Sequence, residues 1–142
     1  MVDERIEFLD PSIFPYAVGQ GALGVECRRN DTELVSLLKS IEHRVSRAEV
    51  DAERALMGHL GAGCSLPLGV YGYWHGDVFT MYARVTSTDG SRKIQATGSA
   101  GAVDTENLGR ILSELLLEAG AGAILTEDAA QACLGTTTQK LY

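Results

Sequence analysis

The chain has 142 residues, 45% of them hydrophobic and 22% charged, with a formal net charge of −7. That composition belongs to a globular protein of one ordinary domain, or of one small domain with an appendage. No basic face suited to nucleic acid stands out, and no apolar run is long enough to cross a bilayer, so neither partner is expected.

The N-terminus, Met1-Val2-Asp3-Glu4-Arg5, is charged and carries no apolar signal core, which points to a cytoplasmic protein. Residues 1–15 read as a short amphipathic piece closing on Asp10-Pro11. Residues 16–24 form a glycine-rich loop, and Val25 and Cys27 suggest a short strand after it. Asn30 or Asp31 is placed to cap a helix, with Glu33 in its first turn. Leu34, Leu37, Leu38 and Ile41 follow at helical spacing, so this helix is expected to bury one face. A second helix is predicted from Val45 or Ser46 to Leu60, with Ala48, Ala52, Ala55, Leu56 and Leu60 on its apolar side and Gly61 as its stop. Three strands are then predicted: Leu66 to Trp74, Val78 to Ser87 and Lys93 to Gly98. Turns at His75-Gly76-Asp77 and Thr88-Asp89-Gly90-Ser91 would join them. A helix from Thr105 to Ala119 carries Leu108, Ile111, Leu112, Leu115 and Leu116 on one stripe, and Gly120 follows it. The residues after Ala132 read as a tail.

The predicted fold class is α+β: a small three-stranded antiparallel sheet with helices on one face, preceded by a fragment of an α/β lobe. Residues 1–40 belong to the lobe fragment, 41–130 to the α+β domain and 131–142 to the tail. The front section offers one strand and one helix with no sheet to join. Its backbone groups call for a larger sheet supplied from outside this chain.

Cys64 is the most informative residue. It lies in Leu60-Gly61-Ala62-Gly63-Cys64-Ser65-Leu66-Pro67, between a helix end and a strand start. A thiol on such an open turn is placed to carry a covalent group. A buried structural cysteine is the plainer alternative. Cys27, Cys64 and Cys133 form neither a disulfide framework nor a metal knuckle, and His43, His59 and His75 share no metal-ligand spacing. His59 could pair with Cys64, but a cysteine after a helix C-terminus faces the negative end of the dipole. That setting suits a stable thioether better than a catalytic thiolate. Gly19-Gln20-Gly21-Ala22-Leu23-Gly24 mimics a dinucleotide fingerprint, yet it precedes a strand where that fingerprint follows one. It reads better as a loop for close backbone approach to a ligand, with Gln20 hydrogen bonding. Glu53-Arg54 reads as a solvated pair on the second helix. Trp74, Tyr71, Tyr73 and Tyr82 read as sheet packing.

Two of these segments resemble one family. Tyr16-Ala17-Val18-Gly19-Gln20-Gly21-Ala22-Leu23-Gly24-Val25-Glu26-Cys27-Arg28 is similar to the glycine-loop motif of porphobilinogen deaminase (hydroxymethylbilane synthase). Ala52-Glu53-Arg54-Ala55, followed by the Leu60–Pro67 stretch, is similar to that family's cysteine-loop motif, with Ala62 in place of a usual glycine. The resemblance implies a transferase that joins four porphobilinogen units into linear hydroxymethylbilane for heme biosynthesis. The chain would grow on a dipyrromethane cofactor held by a thioether at Cys64. By the same resemblance, Gln20 and Gly21 contact that cofactor and Ser65 adds a hydrogen bond beside it. The family's catalytic aspartate and most of its substrate-binding basic residues precede the glycine loop. No catalytic residue is therefore expected in this chain, and the N-terminal lobes become its expected partner. A non-catalytic α+β binding module that keeps the fold without the chemistry is the competing reading.

Overall fold

A computed structural model of the chain describes residues 6–61 and 67–127. Helices α1 (Thr32–Ile41) and α2 (Arg44–His59) precede strands β1 (Leu68–His75), β2 (Val78–Thr86) and β3 (Lys93–Gly101), and helix α3 (Thr105–Glu118) follows. Residues 121–127 form a further helical segment that the sequence patterning did not suggest. No helix among the described residues is long and apolar enough to cross a membrane.

The strands pair antiparallel in the order β1-β2-β3. The central strand shows why the sheet has two distinct faces. Phe79, Met81, Ala83 and Val85 are fully buried on one side, while Thr80, Tyr82 and Arg84 alternate to the other. Helices α2 and α3 cover the apolar side. Ala52, Leu56, Leu108, Leu112 and Leu116 close the core against the β2 side chains and Val70. This is the predicted α+β unit, with its helices on one face.

The two helices approach closely because α3 has a glycine at the crossing. A Cβ placed on Gly109 would lie 2.2 Å from the Ala52 carbonyl oxygen. A second small residue, Gly98 on β3, makes room for the Leu108 and Leu112 side chains. Gly76, with φ +58°, turns the chain between β1 and β2. Asp89 organises the turn between β2 and β3 by accepting from the Ser91 amide at 3.0 Å.

The front section departs from expectation. Asp31 does cap α1, accepting from the Leu34 amide at 3.1 Å. Yet no α1 residue is buried: the stripe meant for a core leaves Leu37 63% and Ile41 73% exposed. The strand expected at Val25 and Cys27 is absent, and residues 22–28 carry no strand pairing. The amphipathic piece carries no regular structure over residues 6–10 and turns at residues 11–13, just after Asp10. The common cause is physical. A strand needs a paired edge and an amphipathic helix buries its stripe only against a surface, and the described residues supply neither to residues 22–41.

Candidate functional site

The glycine loop is built by its own backbone. Ala17 carbonyl accepts the Gln20 amide at 3.0 Å, and Gly19 carbonyl accepts the Ala22 amide at 3.1 Å. The Gln20 side chain closes the turn: its Oε1 accepts the Ala17 amide at 3.0 Å. Gly19 and Gly21 have φ of +70° and +84°, a region that side chains disfavour, so glycine is needed at both. Gln20 Nε2 and the Gly21 amide have no protein partner among the described residues, and Gly21 is exposed with open space beside it.

The segment leading into this loop is docked on the α+β unit. Arg84 reaches from the outer face of β2 and donates to the carbonyls of Ile13 at 2.9 Å and Ser12 at 3.0 Å. Pro15 packs on Gly69, where a Cβ would come within 2.5 Å of the proline ring. Tyr16 and Val70 exchange both backbone hydrogen bonds at 2.8 Å, adding a single bridge to the β1 edge. Gly19 then donates its amide to Glu53 Oε2 at 2.7 Å.

Glu53 is thus not the solvated partner of Arg54 that its position in the sequence suggests. It lies on the face of α2 that also presents Glu49, Ala52 and Leu56. Glu49 accepts from Trp74 Nε1 at 2.7 Å. The two carboxylates line a depression of about 180 Å³ with Tyr16, Tyr71, Gly72 and Phe79. Burial raises the Glu53 carboxyl above its ordinary range, and the nearby Glu49 charge adds to this, while the Gly19 amide pulls it down. The signal for both roles lay in the wheel: positions 49, 52, 53, 56 and 60 share one helix face.

Cys64 and Ser65 lie outside the described residues. Their flanks are well defined. Leu60 is anchored in the core, 8% exposed, and Gly61 turns the chain out of α2 with φ +73°. On the far side, the Pro67 carbonyl accepts the Thr86 amide at 3.0 Å and sets the start of β1. Glu53 and Gly61 are eight residues apart, roughly 12 Å along the helix axis. One helix therefore carries the glycine loop on its side and leads into the cysteine segment at its end. His59 has Nδ1 bonded to the Ala55 carbonyl at 2.7 Å. His43 caps α2 by accepting from the Ser46 amide.

The tyrosines of the sheet do not form one cluster with Trp74. Tyr71 pairs with Tyr82 on the outer face, while Trp74 pairs with Phe79 toward the core, ring centroids 5.0 Å apart. Taken as chemistry, the described residues offer open amide donors at residues 20 and 21. The two carboxylates nearby are spent on Trp74 and Gly19. Such an arrangement can hold and orient an acceptor-rich ligand.

Two family models match the chain in sequence order. The first, described as porphobilinogen deaminase, dipyromethane cofactor binding domain, matches residues 1–36. The second, porphobilinogen deaminase, C-terminal domain, matches residues 47–118. Among curated relatives, the porphobilinogen deaminase of Synechococcus sp. (strain RCC307) is 42% identical over 130 residues, 92% of this chain and 41% of that protein. That of Nostoc sp. (strain PCC 7120 / SAG 25.82 / UTEX 2576) is 42% identical over 125 residues, covering 88% of this chain and 39% of the relative. That of Desulforudis audaxviator (strain MP104C) is 44% identical over 109 residues, covering 77% and 35%. The chain spans about two fifths of the length of the first two relatives. With both models in order and the cofactor-domain segment docked on the fold of the C-terminal domain, the chain belongs to the porphobilinogen deaminase family.

Proposed function

We propose that this chain is the C-terminal part of a hydroxymethylbilane synthase, and that Cys64 holds its dipyrromethane by a thioether. The single observation that supports this most is the shared helix. Helix α2 receives the glycine loop through Glu53 and ends at His59, and Gly61 then turns the chain three residues before Cys64. The described residues fit a dipyrromethane, whose acetate and propionate arms are acceptors. Gln20 Nε2 and the Gly21 amide are donors without a protein partner among the described residues, and no side chain crowds Gly21. In this reading Ser65 supplies a hydroxyl beside the attachment point.

Cys64 would hold the group through its sulfur, which would take the place of the amino group on a pyrrole methylene carbon, a C–S bond forming as the C–N bond breaks and ammonia leaves. A soft nucleophile adds there and stays bonded. The bound group supplies the terminal pyrrole carbon on which porphobilinogen units are joined. The chain's own part is to tether and orient. At net charge −7 it offers little attraction to a polycarboxylate. The acid and the basic cleft come from N-terminal lobes, its proposed partner. The boundary between lobe fragment and C-terminal domain falls near residue 40 in this reading.

Intact-mass measurement tests this. Chain produced together with the lobes is expected to carry two pyrrole units on Cys64, and Cys64→Ala is expected to carry none. An unmodified Cys64 thiol in an active reconstituted enzyme refutes the assignment. Linear tetrapyrrole made by the isolated chain refutes the need for the lobes.

A further inference from the structure

The family models divide the chain between residues 36 and 47, yet the hydrogen bond from Gly19 to Glu53 crosses that division. So do the bridge from Tyr16 to Val70 and the Arg84 contacts to Ser12 and Ile13. These contacts secure the segment only as far as residue 16. Beyond it, Val18 packs against the core, and the Gly19 amide makes the directional contact that reaches the α+β unit. After Gly19 the chain runs exposed through residues 20–30. The position of Gln20 and Gly21 relative to the cysteine-bearing domain is therefore set through Val18 and Gly19, with the hydrogen bond supplied at Gly19.

We propose that Glu53 is a positioning residue, whose carboxylate fixes the glycine loop to the helix that leads into the cysteine segment. The benefit to the site rests on the reading of Gln20, Gly21 and Cys64 given above; the latch itself does not. Half-buried between Glu49, Tyr16 and Tyr71, the carboxylate is held where water competes poorly for the Gly19 amide. Keeping an unneutralised carboxylate there costs desolvation, which a residue serving only the fold would avoid.

Amide hydrogen exchange on the 142-residue chain tests the proposal without any need for activity. Glu53→Ala is expected to speed exchange of the Gly19 amide, and with it the Gln20 amide of the same turn, by about tenfold, the loss expected of a hydrogen bond to a charged acceptor. Glu53→Gln keeps an acceptor and is expected to restore most of the protection. Amides of β2 and α3 are expected to stay unchanged in both variants. Unchanged exchange at Gly19 in Glu53→Ala overturns the proposal. An equal loss in both variants, or a loss spread over the whole molecule, overturns it too. Cofactor loading is read separately: an unloaded Cys64 beside a protected Gly19 would fail the functional reading and leave the latch standing.

Discussion

Replacing Gly109 by alanine should destabilise the protein even though alanine is the better helix former. The added Cβ would lie 2.2 Å from the Ala52 carbonyl oxygen, 2.9 Å from the Leu56 nitrogen and 3.0 Å from the Ala55 Cβ. Carbon and carbonyl oxygen settle at about 3.3 Å or more, so the helices must part by roughly 1 Å. Two of the three obstacles are backbone and cannot rotate away. A gap of that size forfeits up to about half of each dispersion contact along the seam, where Leu56, Leu108 and Leu112 meet. Overpacking of this kind costs about 3 kcal/mol, at the upper end of the usual range. Helix propensity returns about 1 kcal/mol, leaving a net loss of about 2 kcal/mol. For a chain of this size that lowers the melting temperature by roughly 6–8 °C. Gly58→Ala is the matched control: it also lies in a helix, exposed, with nothing within 4 Å of the added carbon. It should gain up to about 1 kcal/mol. Urea titration followed by far-UV circular dichroism reads both variants. A Gly109→Ala protein as stable as the parent would refute the close-crossing account of α2 and α3.

Two other perturbations address the outer face and the hairpin. Arg84→Ala removes both guanidinium contacts to the Ser12 and Ile13 carbonyls. It should make residues 6–15 cleavable by a protease at concentrations that leave the parent intact, and equal cleavage would show that Pro15 and Tyr16 suffice. Asp89 is held down at about 2, chiefly by the Ser87 hydroxyl and then by the Ser91 amide and hydroxyl. A depressed carboxyl contributes order that is complete above its unfolded value near 4 and is lost as pH falls through 2. The Ser91 amide should accordingly stay protected down to about pH 3 and lose protection toward pH 2. Loss already at pH 5 would refute the Asp89 cap.

The parts that could be read from residues alone were those whose partners lie nearby in the chain. Alternation in Val78–Thr86 marks a strand with one apolar face, and the Leu108–Leu116 stripe marks a helix lying on it. Both signals are intrinsic, because each element's burial follows from its own period. The front section misled for the same reason. Leu34, Leu37 and Ile41 have the period of a buried face, but period reports only that a face exists and not that anything covers it. The role of Glu53 was hidden by another limit. Next to Arg54 it looks like half of a surface pair, and only the fold brings Gly19, 34 residues earlier, to its carboxylate.

That long-range contact bears on how the domain carrying Cys64 can move. A hinge between the two matched regions would be expected where the chain passes from one to the other, at the break between α1 and α2 at residues 42–43. The attachments of residues 12–19 place the glycine loop on the far side of such a hinge from α1. The loop would then travel with α2 and the cysteine segment, while α1, with its uncovered stripe, would stay with the remainder of the lobe. Motion of the C-terminal domain would leave the distance between Gly19 and Gly61 nearly unchanged, because Gly19 is bonded to α2 and Gly61 follows directly on its end.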